Sequence, residues 1–169
     1  MSVSPTPSRA PWYRNTRGEW YVVAQVILFV LIGFGPRTVP GLPPWGGGTA
    51  EAFTVLGVLL MLVGAALSIG GVLVLGSNLT PLPYPRDCSN LVESGPYAIV
   101  RNPIYSGLII GAFGWGLWLH APLTLVFAVA LFVLFDLKLR LEEKWLAERY
   151  GAPYLEYRAK VKKLIPWVY

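Results

Sequence analysis

The stretch NPIYSGLIIGAFGWGLWLHAPLTLVFAVALFVLF, Asn102 to Phe135, contains no Asp, Glu, Lys or Arg. As one helix it would be about 50 Å long at 1.5 Å per residue, too long for a hydrocarbon core of about 30 Å. It must fold in two, and Leu119, His120, Ala121 and Pro122 supply the turn. The expectation is a tight hairpin of membrane helices near Ile104 to Leu119 and Pro122 to Lys138.

Upstream, no charge falls between Glu19 and Arg37, and Ala52 to Pro85 is charge-free as well. The chain of 169 residues is 54% hydrophobic and 14% charged, well below the roughly one quarter charged that is usual in soluble domains. Composition therefore indicates a membrane protein, with further spans near Trp20 to Phe34 and Ala50 to Leu75. Trp12, Tyr13 and Trp20 open the first span as interfacial aromatics do. The Pro/Gly-rich RTVPGLPPWGGG makes the loop that follows. Gly57, Gly64, Gly70 and Gly71 permit close helix approach in the second span.

After Asp136 the pattern changes. DLKLRLEEKWLAERY keeps Leu137, Leu141, Trp145 and Leu146 at helical spacing among charges, so the fourth span continues out of the membrane as an amphipathic helix. Gly151, Ala152 and Pro153 break it, and YLEYRAKVKKLIPWVY is expected to form a last short basic helix ending at Pro166. The fold class is thus all-α and integral to the membrane: about four transmembrane helices, the last two a hairpin, plus C-terminal amphipathic cytoplasmic helices. By length it is a single domain. It divides into an N-terminal helical pair (1–76), a cytoplasmic connection (77–103), the hairpin (104–138) and a C-terminal segment (139–169).

Thirteen of the fourteen Lys and Arg residues lie before the first span, in the second connection or from Lys138 onward; Arg37 is the exception. The positive-inside rule then places both termini and the 77–103 connection in the cytoplasm. The net charge of +5 flanks apolar spans, so it reads as topology and not as a nucleic-acid surface. A multi-pass protein of a bacterial or archaeal inner membrane or of an endomembrane is expected. No cleavable leader pattern opens the chain. A single cysteine, Cys88, excludes an internal disulfide and a Cys-based zinc site, and a single histidine, His120, sets aside the common metal-site recipes and the usual Ser-His or Cys-His pairs.

The entrance to the hairpin reads GPYAIVRNPIYSG, Gly95 to Gly107. Pro103 suits the first turn of a helix, Asn102 before it is a good N-cap, and Arg101 could snorkel to headgroups. Hairpin topology, however, brings this entrance beside Glu142 and Glu143 at the exit of the fourth span. Arg101, Asn102 and Tyr105 should face one of those carboxylates. The result is either a plain salt bridge or a polar cage of both signs, suited to a zwitterion whose carboxylate meets Arg, Asn and helix N-terminal N–H groups.

TPLPYP, LVESGPYAIVRNPIYSG, GWG and LEEKWLAERYGAPYLEYRAKVKKLIPW, in that order, resemble the catalytic half of the integral membrane methyltransferases, which include isoprenylcysteine carboxyl methyltransferases and phospholipid N-methyltransferases. The resemblance covers about the last 90 residues. It implies S-adenosylmethionine as cofactor. It puts the family's Arg, Pro, Tyr and Gly on Arg101, Pro103, Tyr105 and Gly107, its cofactor-holding acidic pair on Glu142 and Glu143, and its glycine motif on Gly114 and Gly116. Asn102 stands where eukaryotic-type members usually carry His, and offers only neutral hydrogen bonds to the cofactor carboxylate. The closing segment is similar to the lid over the adenosine part, with Tyr154, Tyr157 and Arg158 as the residues concerned.

Arg101 or Arg158 would orient an anionic acceptor, and Asp136, Glu142 and Glu143 are the available bases. The acceptor is expected to be a lipophilic small molecule or lipidated substrate reached from the bilayer: an isoprenylcysteine-like carboxylate, a lipid amine or a thiol. No metal is needed for this chemistry, and the sequence leaves the oligomeric state open. Two other readings stand beside it: a nicotinamide-dependent membrane reductase of the sterol-reductase type, and a small membrane protein without catalysis, whose charged helix ends serve topology and docking.

Overall fold

A computed structural model describes residues 18–41, 48–76, 79 and 91–169. Trp12, Tyr13, the middle of the Pro/Gly loop and residues 77, 78 and 80–90 of the connection, Cys88 among them, lie outside the described residues. The described chain forms helices α1 (Glu19–Phe34), α2 (Ala50–Leu75), α3 (Pro103–Trp118), α4 (Pro122–Tyr150) and α5 (Ala152–Lys160), with a 3₁₀ turn at Gly95–Ala98 before α3.

The hairpin forms as its sequence requires. Pro103 and Pro122 open α3 and α4, where a missing N–H costs nothing. Between them His120 adopts a left-handed φ of 51°, and the Ala121 N–H closes the turn on the Gly116 carbonyl at 2.9 Å. His120 Nε2 lies 3.0 Å from the Ala50 carbonyl oxygen, fastening the turn to the start of α2.

The three buried residues of α2, Gly57, Gly64 and Gly71, recur every seven positions and face α3. A Cβ on Gly57 would stand 2.7 Å from the Gly114 carbonyl oxygen, and one on Gly64 would stand 2.8 Å from the Gly111 nitrogen. The two backbones therefore touch, which only small residues allow. The opposite side of α2 is apolar and exposed at Val55, Leu59, Leu62 and Leu73. α2 and α4 are long and apolar enough to cross a membrane, with mean hydropathies of 2.6 and 2.1, and α1 is a shorter apolar helix. An exposed apolar face of this extent marks contact with a membrane or a partner.

The core sits between α3 and α4: Ile109, Ala112, Ala128, Leu131, Phe135 and Leu139, with Leu164 from the tail. Leu28, Phe29 and Ile32 of α1 pack against it. The Phe29 and Phe135 rings meet edge to face at 6.4 Å, and Trp115 Nε1–H donates to the Ile32 carbonyl at 3.0 Å.

α4 runs unbroken for 29 residues, one helix that continues past Lys138 until Gly151 stops it at φ 60°. The tail departs from expectation. α4 does break at Gly151, but Ala152 and Pro153 already belong to α5, which ends at Lys160 and not at Pro166. Val161 is extended because carbonyls that a helix would use internally are taken by the entrance to α3. The Arg101 N–H donates to the Lys162 carbonyl at 2.8 Å, Asn102 Nδ2 to the Lys163 carbonyl at 3.1 Å and Ser106 Oγ to the Leu164 carbonyl at 2.7 Å. That use of its amide also explains why Asn102 makes no side-chain cap on α3.

Candidate active site

Where α3 begins and α4 leaves the apolar bundle, α5 and the tail close over both. Arg101 Nη2 donates to Glu143 Oε1 at 2.6 Å, and each side chain is less than a tenth exposed. Its Nη1 donates to the carbonyls of Arg158 at 2.8 Å and Val161 at 2.6 Å. Arg158 Nε stands 3.9 Å from the other Glu143 oxygen. Glu143 thus lies between two guanidinium groups. The inner one is fixed by three bonds; the outer one is half exposed, and its attraction is largely screened.

Glu142 turns the other way, as a step of about 100° around a helix dictates. Its Oε1 accepts from the Tyr105 hydroxyl at 2.7 Å. Burial pushes the Glu142 carboxyl up to about 7; the Lys138 charge and the Tyr105 bond oppose the rise, and the Glu143 charge adds to it. Lys138, one turn back along α4 and 1% exposed, donates to Gln25 Oε1 of α1 at 3.0 Å. Its ammonium lies 5.0 Å from the centre of the Tyr105 ring.

α5 supplies two buried phenols, Tyr154 and Tyr157, with rings 6.4 Å apart. The Tyr157 hydroxyl donates to the Tyr97 carbonyl at 2.7 Å. Burial raises both α5 phenols and lifts Tyr97 to about 12, so all three act as neutral hydrogen-bonding groups and none as a base. Asp136 is occupied elsewhere: it accepts from Lys163, from the Tyr169 hydroxyl at 2.8 Å and from Arg140 at 2.9 Å. That carboxylate fastens the tail to α4.

A cavity of about 880 Å³ opens against this arrangement, lined among others by Arg101, Glu143, Lys144, Arg158, Lys162 and Tyr169. Its volume lies within the range of small-molecule sites, about 300–1,000 Å³. Arg101 Nε is buried without a hydrogen-bond partner. An orphaned donor of that kind costs about 1–3 kcal/mol. With a carboxylate between two guanidiniums, the cavity has the means to hold a zwitterion.

The structure therefore brings together Arg101, Tyr105, Glu142, Glu143 and Arg158, with Tyr154 and Tyr157 above them. It places Asn102 on the tail backbone. Gly107, Gly114 and Gly116 are not brought to the cluster. A Cβ on Gly107 would run into Gly64 and Ser68, one on Gly114 would meet the Gly57 carbonyl oxygen at 2.6 Å, and one on Gly116 would meet Leu125 at 2.6 Å. Their missing side chains admit α2 and α4. Sequence reading overlooked Lys138, which it used only as a topological charge, and Gln25 and Ser106. The available signal was a lone amide in the apolar run WYVVAQVILFVLIGF.

Comparison with known proteins bears on the chemistry. A family model described as phospholipid methyltransferase matches residues 52–153, more than half of the chain. The chain is 36% identical over 118 residues to a protein-S-isoprenylcysteine O-methyltransferase of Saccharomyces cerevisiae, covering 68% of this chain and 49% of that protein. It is 30% identical to protein-S-isoprenylcysteine O-methyltransferase B of Arabidopsis thaliana, covering 66% of this chain and 58% of that one. The chain thus spans about half the length of these curated relatives. Its fold is similar to a solved structure of the eukaryotic intramembrane Ras methyltransferase, an isoprenylcysteine carboxyl methyltransferase. The TM-score is 0.63 at 23% identity, over 95% of this chain and 54% of the other. The chain belongs to the phospholipid methyltransferase family.

Proposed function

We propose that this chain transfers a methyl group from S-adenosylmethionine to a lipophilic acceptor held in the membrane: an isoprenylcysteine-like carboxylate, a lipid amine or a thiol. In this reading α1, α2, α3 and the first part of α4 are four spans, and the cluster lies at their cytoplasmic end. The observation that carries it is the Arg101–Glu143–Arg158 arrangement against a cavity, in a chain of a methyltransferase family. Family membership also leaves the reductase reading without support.

The residues fit the cofactor. Arg101, with its unpartnered Nε, and Arg158 suit the carboxylate of its amino-acid end, while Glu143 and the neighbouring Glu142 suit its ammonium and sulfonium charges. Tyr154 and Tyr157, buried behind the cavity wall, would hold α5 in place over its adenosine part. When bound, the cofactor supplies an electrophilic methyl on a positively charged sulfur. The chain's own task is then alignment of the acceptor with that methyl, since positioning alone can lower the barrier by several kcal/mol. Arg158, half exposed on the cavity wall, is the residue suited to orient an anionic acceptor.

Calorimetric titration of detergent-purified protein with S-adenosylmethionine and S-adenosylhomocysteine, with NADPH as control, tests the proposal. Saturable binding of the first two that falls at least tenfold in Glu143→Gln is expected; binding of NADPH alone would overturn the reading. The Glu142 carboxyl, raised to about 7, adds a sign. A cationic ligand selects the ionised carboxylate, so S-adenosylmethionine should bind more tightly as pH rises through about 7 and should release protons on binding below that value. Titrations in buffers of different ionisation enthalpy measure that release. Binding that weakens over the same range would contradict the role of Glu142.

A further inference from the structure

α1 lies outside residues 52–153, the region the family model matches, yet it reaches into the site. Between Trp20 and Phe34, Gln25 is the single amide or charged side chain. An amide in an apolar bundle is costly unless it is hydrogen-bonded, and here its oxygen receives the Lys138 ammonium at 3.0 Å. Lys138 in turn is an almost fully buried cation, which needs compensation of its own. Its ammonium stands over the Tyr105 ring, and the Tyr105 hydroxyl donates to Glu142. Glu142 is one turn ahead of Lys138 on α4, the spacing at which opposite charges attract on a helix.

We propose that Gln25 and Lys138 are a positioning pair: Lys138, anchored from α1 by Gln25, keeps Glu142 charged and so sets the field that draws a cationic ligand to the paired glutamates. The inference rests on the methyltransferase reading for its ligand, but the coupling of Lys138 to Glu142 can be measured without one. The groups acting on Glu142 are few. Burial and the Glu143 charge raise its carboxyl, Lys138 and the Tyr105 bond oppose them, and Tyr97 from the 3₁₀ turn and Tyr154 from α5 stand by as neutral phenols. Lys138 is therefore the cation that opposes the effect of burial on Glu142. A purely structural role for the pair would alter stability but would leave the titration of Glu142 where it is.

The test is the pH dependence of S-adenosylmethionine binding in wild type, Lys138→Met, Lys138→Arg and Gln25→Leu. In wild type the tightening is centred near 7. Lys138→Met should move it upward by about one unit, which is about a fivefold loss of affinity at pH 7 and about tenfold well below it; Lys138→Arg should restore the wild-type profile, and Gln25→Leu should shift it less in the same direction. If Lys138→Met does not fold, Gln25→Leu and Lys138→Arg carry the test. An unmoved profile in folded Lys138→Met, or in Gln25→Leu where Lys138→Met does not fold, overturns the proposal, as does a Lys138→Arg profile displaced as far as that of Lys138→Met. If wild type binds neither nucleoside, the methyltransferase reading fails separately, and the pH profile of thermal unfolding decides instead. A carboxyl raised above its unfolded value makes stability fall as pH rises from about 4.5 through about 7. That fall should extend to higher pH in Lys138→Met, and an unchanged profile overturns the coupling.

Discussion

Arg101→Met should lower the unfolding free energy by about 3–5 kcal/mol, the usual loss when one partner of a buried ion pair is removed, and should abolish binding of S-adenosylmethionine. Met keeps an unbranched chain of comparable bulk, so most of the loss arises from polar groups. Glu143 is left buried with its nearest cation, Arg158, 3.9 Å away and half exposed. The carbonyls of Arg158 and Val161 lose the donor that joins them to the entrance of α3. Arg101→Lys should fall between Met and wild type, because a single ammonium cannot reproduce the planar fork that serves a carboxylate and two carbonyls together. Arg158→Gln is the contrast: an exposed pair at that distance is worth about 0–1 kcal/mol, so stability should hardly move even where ligand binding does. Unfolding monitored by tryptophan fluorescence in detergent separates these cases. A loss below about 1 kcal/mol for Arg101→Met would mean that the pair behaves as a surface pair and that the tail is held by other contacts.

The entrance and the paired glutamates are brought together by a single length that the sequence shows. A charge-free run too long for one crossing has to turn back, and His120 with Pro122 marks where. Topology then puts Arg101 near Glu143 whatever the details of packing. The bounds of α2 were legible for a similar reason, since charge and Pro/Gly punctuation surround an apolar run. The tail was not legible. YLEYRAKVKK has helical periodicity and good helix formers, and local propensity is a weak prior that tertiary context overrides. What decides its path is the demand of Arg101, Asn102 and Ser106 for carbonyl oxygens, a property of residues about 60 positions away. The direction of Lys138 was hidden likewise. As a basic residue at the end of a span it satisfies a topology rule without any partner, and only the position of α1 shows that Gln25 waits beside it. The glycines of α3 could not be divided between ligand and helix contact until the neighbouring backbones were in place.

Gly64→Val should cost about 3 kcal/mol or more, at the upper end of what added core bulk costs elsewhere. In most cores an extra methyl meets a side chain that can turn aside. At Gly64 it meets the Gly107 carbonyl oxygen at 2.5 Å and the Gly111 nitrogen at 2.8 Å, and these backbone atoms can yield only if α2 and α3 separate along their length. Valine adds a branched side chain with one favoured rotamer in a helix, which removes the remaining freedom to adjust. For a chain of this size about 2–4 °C of melting temperature accompanies each kcal/mol, so a fall of roughly 6–12 °C is expected in a thermal scan. Gly33→Ala on α1 is the matched control. Nothing lies within 4 Å of a Cβ there, and replacing a helical glycine gains up to about 1 kcal/mol in propensity, so it should be neutral or slightly stabilising. Because α3 starts at the residues that hold Glu143 and Glu142, its displacement by Gly64→Val should also weaken donor binding, although Gly64 does not line the cavity. A Gly64→Val protein that melts like wild type would show that the helices can part at little cost. The small residues of α2 would then serve some purpose other than close approach to α3.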